Sequence, residues 1–280
     1  MNSENPSHFL CPVCKTALIS TKKSLVCENS HSFDKAKSGY VNLFINPKSS
    51  AKNHGDNKLM TSARRDFLNK DFYLPLKNAL CKIAKKYAKP NDVVFDCGCG
   101  EGYYTDAIRR SLESVSMIAI DISKDEISTA SKRNKNIEFA VASAFNLPIK
   151  PYSVDILFEI FSPYSEKEFL RVLKDNGIMI IAFPLENHLF QLKKSVYDVP
   201  YKNEVSDLSL NGFSLIESLE IKNVIKLNSN EDIKNLFMMT PYYYKTGVNE
   251  QARLDTLQTL SVETEFCIAV YRKKGKQILF

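Results

Sequence analysis

From residue 90 onward the chain switches repeatedly between two hydrophobic rhythms. "DVVFDCGCG" is an apolar run ending in glycines, and "SMIAIDIS", "IEFAVASA", "SVDILFEIF" and "IMIIAFP" are further short apolar runs. Between them lie "YYTDAIRRSLES", "KDEISTASKRN" and "SEKEFLRVLKDNG", with helical spacing of their apolar residues. The last of these runs to a glycine that would cap it. Such a pattern predicts strands and helices in alternation. Alternation implies parallel pairing with right-handed crossovers, an α/β fold built on a doubly wound sheet. In the tail, "FSLIESLEI" and "TEFCIAVYRK" predict two more strands as an antiparallel terminal pair, giving a mostly parallel seven-stranded sheet.

The amino-terminal stretch follows neither rhythm. "CPVCKTALISTKKSLVCENSHSFD", residues 11–34, crowds three cysteines and a histidine among too few large apolar residues to form a core. Cys11 and Cys14 form a Cys-x-x-Cys knuckle, and Cys27 with His31 forms a second pair. Two such pairs on facing turns offer four donors at the corners of a tetrahedron, which suits zinc. With all four positions filled, the metal would be structural. Disulfides are the competing reading, but they need an oxidising compartment, and residues 1–10 carry no secretory pattern. After this module, "NPKSSAKNHGDNK" (46–58) has the composition of a linker. The chain therefore divides into 1–46, a small zinc-ribbon-like unit, and 47–280, with 47–60 as the linker. Two such units predict separable lesions: Cys27→Ala should unfold the first and spare ligand binding by the second.

Composition changes this picture little and charge changes it more. At 280 residues, 44% hydrophobic and 25% charged, the chain can build a globular core beside a small accessory unit. The longest apolar stretch, "GIMIIAFPL", is too short to span a bilayer, so no membrane is expected. Cys81, Cys97, Cys99 and Cys267 fit a reducing, cytoplasmic setting. Residues 1–70 hold nine lysines and two arginines against five acids, which accounts for the whole net charge of +6. A basic module beside a neutral body points to a polyanionic partner, nucleic acid first. A merely solvated lysine-rich surface is the alternative.

In a doubly wound sheet the ligand sits outside the carboxyl ends of the strands, at the switch in strand order. That is where "DCGCGEGYYT", residues 96–105, falls. Gly98, Gly100 and Gly102 let the backbone turn sharply and approach a ligand closely. Asp121, ending the next strand, is placed to accept from both hydroxyls of a ribose. Glu101 inside the loop would repel a pyrophosphate, and the glycine spacing is tighter than the dinucleotide fingerprint. An adenosyl ligand without phosphates, such as S-adenosyl-L-methionine, fits better.

The loop "D-x-G-x-G-x-G" with a later strand-end Asp resembles class I S-adenosylmethionine-dependent methyltransferases. A narrower resemblance joins "CPVC…C…H-S-F-D-x-A-K-x-G-Y-V-N-L" to "SARRDFL", "FYLPL", "DCGCGEGYYT" and a late "MTPY". Together these are similar to the bacterial 23S rRNA guanine-N1 methyltransferases of the RlmA type, from about residue 9 to the last strand. The resemblance implies methyl transfer to N1 of a guanine in a 23S rRNA hairpin, with either of two neighbouring guanines as target, and a cytoplasmic enzyme. It implies Cys11, Cys14, Cys27 and His31 as ligands of Zn2+ and residues 1–46 as the RNA-recognition module. It places Tyr73, Gly100, Glu101 and His188 on cofactor contacts, with Asp121 on the ribose. Two departures stand out: "VASAFNLP" offers Ser143 where the wider class often has an Asp near the adenine, and "LKDNG" replaces a Lys-Pro-Gly-Gly turn. The second departure is expected to be structural only.

The residues themselves support those roles unevenly. His188 lies past the fifth strand of the alternating pattern, where a ligand or plain solvent would meet it. Tyr73 sits in an aromatic-rich stretch of the kind that usually fills a core. Arg64 and Arg65 could bind phosphate bidentately or simply solvate a helix. "FSPY" (161–164) follows the fourth strand, where many nucleic-acid amine methyltransferases carry Asn/Asp-Pro-Pro-Tyr. Phe161 cannot accept from an exocyclic amine, which favours a ring-nitrogen target with Phe161 or Tyr164 stacked on the base. No general base stands out, so the catalytic residue is unknown. Oligomeric state stays open, a homodimer among the options. A small-metabolite methyltransferase and a non-catalytic RNA-binding protein remain the alternatives, separated by cofactor binding and by methyl transfer to rRNA.

Overall fold

The computed structural model describes residues 5–45, 58–205 and 207–275. Strands β1 (Asn5–Leu10), β2 (Ala17–Ser20), β3 (Ser24–Cys27) and β4 (Ser32–Asp34) pair antiparallel in chain order. This small sheet carries the four predicted metal ligands on its turns. The second sheet has eight strands: β5 (Val41–Asn42), β6 (Val93–Cys97), β7 (Ser116–Asp121), β8 (Glu138–Val141), β9 (Val154–Ile160), β10 (Leu173–Pro184), β11 (Phe213–Leu227) and β12 (Leu260–Lys273). Their order in space is β11-β12-β10-β9-β6-β7-β8-β5. All neighbours from β10 to β5 run parallel, and β12 is antiparallel to both β10 and β11. The predicted doubly wound sheet and antiparallel tail are therefore present, with one strand more than the seven expected.

The extra strand comes from the amino-terminal region. Val41 and Asn42 pair with Ala140 and Val141, covering an edge of β8 that would otherwise expose unpaired backbone. Phe9 bridges to Ile149, and Leu10 N donates to Pro148 O at 2.8 Å. Phe9, Leu18, Leu25, Val41 and Leu43 are buried in the same apolar cluster as Phe95, Ile118, Ile120, Ala140 and Leu147. Ribbon and sheet thus share one core. Sequence charge alone suggested an appendage because the contacts joining the two are a few scattered apolar residues.

A hydrogen-bonded pair reinforces this junction. His8 Nδ1 lies 2.6 Å from Glu138 Oε1, and Ser7 Oγ donates to Oε2 of the same carboxylate at 2.8 Å. The Glu138 hydrogen bond raises His8 above its ordinary value of 6.5. Burial alone would raise Glu138, but the hydrogen bond and charge of His8 outweigh it and hold that carboxyl low. A raised histidine stabilises fully below its unfolded pKa and loses that contribution as pH climbs through its folded value; the lowered carboxyl loses its own as pH falls. Docking of β1 on β8 is therefore expected to be firmest in mildly acidic solution and to loosen above neutrality. Amide exchange in β1, followed from about pH 6 to 9, should speed up beyond its chemical pH dependence, and His8→Gln should flatten that excess.

The helices are α1 (Lys58–Asn69), α2 (Leu74–Tyr87), α3 (Tyr103–Ser111), α4 (Lys124–Arg133), α5 (Glu166–Val172), α6 (Phe190–Val196), α7 (Asn230–Met238), α8 (Tyr242–Lys245) and α9 (Val248–Ala252). Ser123, Ser165 and Ser229 cap α4, α5 and α7 by accepting a backbone N–H three residues on. Two boundaries differ from expectation. Residues 47–57 of the predicted linker lie outside the described residues, but 58–60 already belong to α1, because Met60, Ala63, Phe67 and Leu68 form a buried helical face. And α5 stops at Val172, well short of Gly177, since Leu173 pairs with Val154 as β10 begins. Asn176, with φ 62°, takes the left-handed turn there. Gly177 is instead a close approach: a Cβ on it would sit 2.9 Å from Lys174 O. No helix among the described residues is long and apolar enough to cross a membrane.

Candidate active site and metal centre

At the ribbon's turns the four donors converge. Cys11, Cys14, Cys27 and His31 place their ligand atoms within 4.8 Å of one another. Cys14 Sγ–Cys27 Sγ is 3.6 Å, Cys11 Sγ–His31 Nδ1 3.6 Å and Cys27 Sγ–His31 Nδ1 3.4 Å. A tetrahedron with Zn–S of about 2.3 Å and Zn–N of about 2.05 Å has edges of about 3.8 and 3.6 Å. The spacing matches zinc, and Nδ1 is the nitrogen that faces the centre. The Thr16 hydroxyl, 3.2 Å from Cys14 Sγ, holds that thiol down at about 5.

The strand order reverses between β6 and β9, and outside their carboxyl ends opens a cavity of about 770 Å³. Its floor is the loop from Asp96 to Glu101. Gly98 N and Cys99 N both donate to Ile120 O at 2.9 Å, and Gly100 N donates to Asp121 Oδ2 at 2.9 Å. Asp121 Oδ1 also accepts from Ser123 N at 2.8 Å, so this carboxylate ties the glycine loop to the start of α4. Asp96 is almost fully buried; Oδ2 accepts from Thr105 Oγ1 at 2.6 Å, Oδ1 has no partner, and burial pushes its pKa up to about 7. The hydroxyls of Tyr73 and Tyr104 are likewise buried without partners.

Charge in the cavity is lopsided. Asp96, Glu101, Asp121 and Glu126 line it, and among the described lining residues Arg64 is the one cation. Arg64 Nη1 donates to Glu126 Oε1 at 3.2 Å, and Nη2 lies 3.4 Å from Met239 O. Glu101 accepts from Arg133 Nη2 at 2.8 Å, while its second oxygen is buried and unpaired. Phe161 takes φ 61° and turns a half-exposed ring onto the cavity. Its loop is pinned by Ser162, whose Oγ donates to Cys97 O at 2.8 Å and whose N–H donates to the buried Glu159 carboxyl.

Residues 9–51 match the family described as "RlmA, N-terminal", and residues 88–237 match the family described as "Methyltransferase domain". The 23S rRNA (guanine(748)-N(1))-methyltransferase of Streptomyces fradiae is 31% identical over 188 residues, 66% of each chain. A Micromonospora griseorubida protein named as a candidate for the same guanine-N1 chemistry on 23S rRNA is 30% identical over 204 residues, 66% of this chain and 68% of its own. YxjB of Bacillus subtilis, a candidate by name as well, is 27% identical over 278 residues, 95% of this chain and 98% of its own. The chain belongs to the 23S rRNA (guanine-N1)-methyltransferase family. The four donors of the ribbon fall inside the first matched segment, and β6 to β11 fall inside the second.

The residues singled out in the sequence separate in space. Tyr73, Gly98, Gly100, Glu101, Asp121, Arg64 and Phe161 line the methyltransferase cavity. Gly102 caps α3 in the left-handed conformation and packs against Ala130, 3.0 Å from where its Cβ would be. His188 sits one layer back, its ring 4.5 Å from Phe266 and 6.1 Å from Tyr73. Its Nδ1 accepts from Glu265 N at 3.2 Å, and burial lowers its pKa to about 3, so it is neutral. Arg65 lies on the outer side of α1, bonded to Ser62. Tyr164 stacks on Phe169 with ring centroids 5.3 Å apart, away from the cavity lining. Asp96, Tyr104, Glu126 and the Met239–Pro241 segment line the cavity without having been assigned from sequence. The Asp of "D-x-G-x-G-x-G", the "GYY" after the loop and "MTPY" were the signals that touched on some of them.

Proposed function

We propose that this chain transfers a methyl group from S-adenosyl-L-methionine to N1 of a guanine in a 23S rRNA hairpin, working in the cytoplasm. The observation that carries the reading is an acidic cavity floored by a glycine loop, built on the same core as a zinc ribbon. The cofactor has two cationic centres and one carboxylate, so an acid-rich lining suits its net charge. Buried polar atoms without partners at Asp96, Tyr73 and Tyr104 are what a polar ligand of this size would satisfy. When bound, the cofactor would supply a methyl on a positively charged sulfur that leaves as a neutral thioether, while guanine N1 takes the methyl and gives up its proton.

The chain's own residues supply position and dryness. Gly98 and Gly100 bring backbone against the ligand, Asp121 presents its carboxylate at the ribose side, and Tyr73 faces the methionine end. Phe161 and Tyr104, with ring centroids 6.3 Å apart, give the target base an apolar surface. N1 lies on the pairing edge, so the guanine must be unpaired or flipped to enter. Alignment and exclusion of water are worth most where the leaving group is already good. The ribbon offers Lys22, Lys23 and Lys37 to phosphates, while Lys35 is tied to Ser20 Oγ and Thr21 O within the ribbon itself.

A methyl on N1 blocks Watson–Crick pairing, so reverse transcription stops at the modified guanine. Incubating the enzyme with isolated, unmodified 23S rRNA and labelled cofactor should put label into RNA and create one new stop in a hairpin. Cofactor binding with no label in rRNA would remove the rRNA reading and leave a small metabolite as substrate.

A further inference from the structure

Arg64 and Arg65 look alike in sequence and stand in different places. On α1, Met60, Arg64 and Leu68 recur every fourth residue, and all three line the cavity. Residues so spaced share one helix face, so the phase of α1 aims Arg64 inward. Arg65, about 100° further round the helix, meets Ser62 and Asp66 outside. The inward face is held firmly: Phe67 and Leu68 are buried, and Lys70 Nζ bonds Asp232 Oδ1 at 2.6 Å.

We infer that Arg64 anchors the α-carboxylate of the cofactor's methionine end. This rests on the S-adenosylmethionine reading of the cavity. A carboxylate entering a space lined by Asp96, Glu101, Asp121 and Glu126 meets repulsion unless a cation receives it, and Arg64 is the cation among the described lining residues. A guanidinium carries five N–H donors in a planar fork, so it can grip one carboxylate bidentately and keep a second partner such as Glu126. Arg64 shares the cavity lining with the two unpartnered phenols, Tyr73 and Tyr104. Burial drives the Tyr104 hydroxyl well above its ordinary pKa, and the Arg64 charge works against that. Tyr73 and Tyr104 in turn sense one another. One guanidinium and two unpartnered hydroxyls form a donor set that fits a carboxylate. An RNA phosphate, which brings no cation of its own, fits this acid-rich lining less well than a cofactor that carries two cationic centres beside its carboxylate.

The test compares S-adenosylmethionine with its decarboxylated analogue, which keeps the sulfonium and the amine. By calorimetry, wild-type protein should prefer the intact cofactor by about 10- to 100-fold, the range for hydrogen bonds to a charged group. Arg64→Gln should lose about that factor for S-adenosylmethionine, bind the analogue as before, and so lose the preference. Arg64→Lys, which keeps the charge without the fork, should fall between, and it serves if the glutamine variant does not fold. A wild-type protein indifferent to the carboxylate, a variant that keeps the preference, or one that weakens both ligands equally would overturn the inference. So would an Arg64→Gln protein with normal cofactor binding and a shallower salt dependence of RNA binding. If wild-type protein binds neither ligand, the cofactor reading itself fails.

Discussion

Removing zinc, by chelation or by Cys27→Ala, is expected to unfold the ribbon and to bring down the sheet domain's stability with it. The ribbon's strands are three to six residues long and cannot hold together on apolar burial alone. Structural zinc contributes about 10–16 kcal/mol of apparent binding free energy in small zinc modules, as much as a whole domain's stability of about 5–15 kcal/mol. Losing it releases Phe9, Leu18 and Leu25 from Ile118, Ile120, Ala140 and Leu147 and strips β5 from the edge of β8. The melt of the stripped protein should therefore be a single transition lowered by well over about 10 °C, and cofactor affinity should fall with it. Two separate transitions, with the cofactor-binding one unmoved, would restore the separable units that the linker composition suggested.

The strands that build the sheet's centre were legible because parallel strands are buried on both faces and read as short apolar runs. β6, β7, β8, β9 and β10 all carry that signature. The tail was legible only in part. β11 is a 15-residue edge strand, and most of its side chains face water, so polar positions such as Glu220, Lys222 and Lys226 conceal its length. β5 has two residues and no pattern of its own; tertiary pairing alone makes it a strand. α1 showed only as the helix that Arg64 and Arg65 could solvate, because its apolar face begins inside a lysine-rich stretch and its aromatic end resembles core filling.

The site shows the same division. Left-handed turns and a strand-end acid leave marks in sequence, because few residues can do what Gly98 and Asp121 do. Which way a helix points an arginine leaves none, and neither does the absence of a partner for Tyr104. The resemblance put His188 on a cofactor contact; its position past a strand could not add to that, because position does not distinguish a cavity wall from the layer behind it. Phe266, which comes between His188 and the mouth ring Phe161, sits on β12, remote in sequence from both.

Gly98→Ala is expected to abolish measurable cofactor binding, whereas Gly100→Ala should meet no steric clash and cost only the left-handed backbone strain of about 1–2 kcal/mol. Gly98 has φ 84°, and a Cβ built on it falls 2.3 Å from Ser162 Cβ and 2.4 Å from Ser162 Oγ. Ser162 cannot step aside cheaply, because its hydroxyl bonds Cys97 O and its N–H bonds Glu159. Left-handed backbone adds about 1–2 kcal/mol for an alanine. The added methyl must therefore displace the glycine loop or the Phe161 loop, and both form the cavity. At Gly100, φ is 51° and the nearest atom to a new Cβ is Glu126 Oε2 at 3.4 Å, an ordinary contact. Calorimetry should show Gly98→Ala losing at least about 100-fold in cofactor affinity, about 2.7 kcal/mol, with a lowered melting point. Adding Ser162→Gly relieves the clash but not the backbone strain, so the double variant should recover part of the affinity, a coupling that independent sites would lack. Wild-type binding by Gly98→Ala would mean the two loops yield to one another, and the geometry argued for both the cofactor and Phe161 would lose its basis.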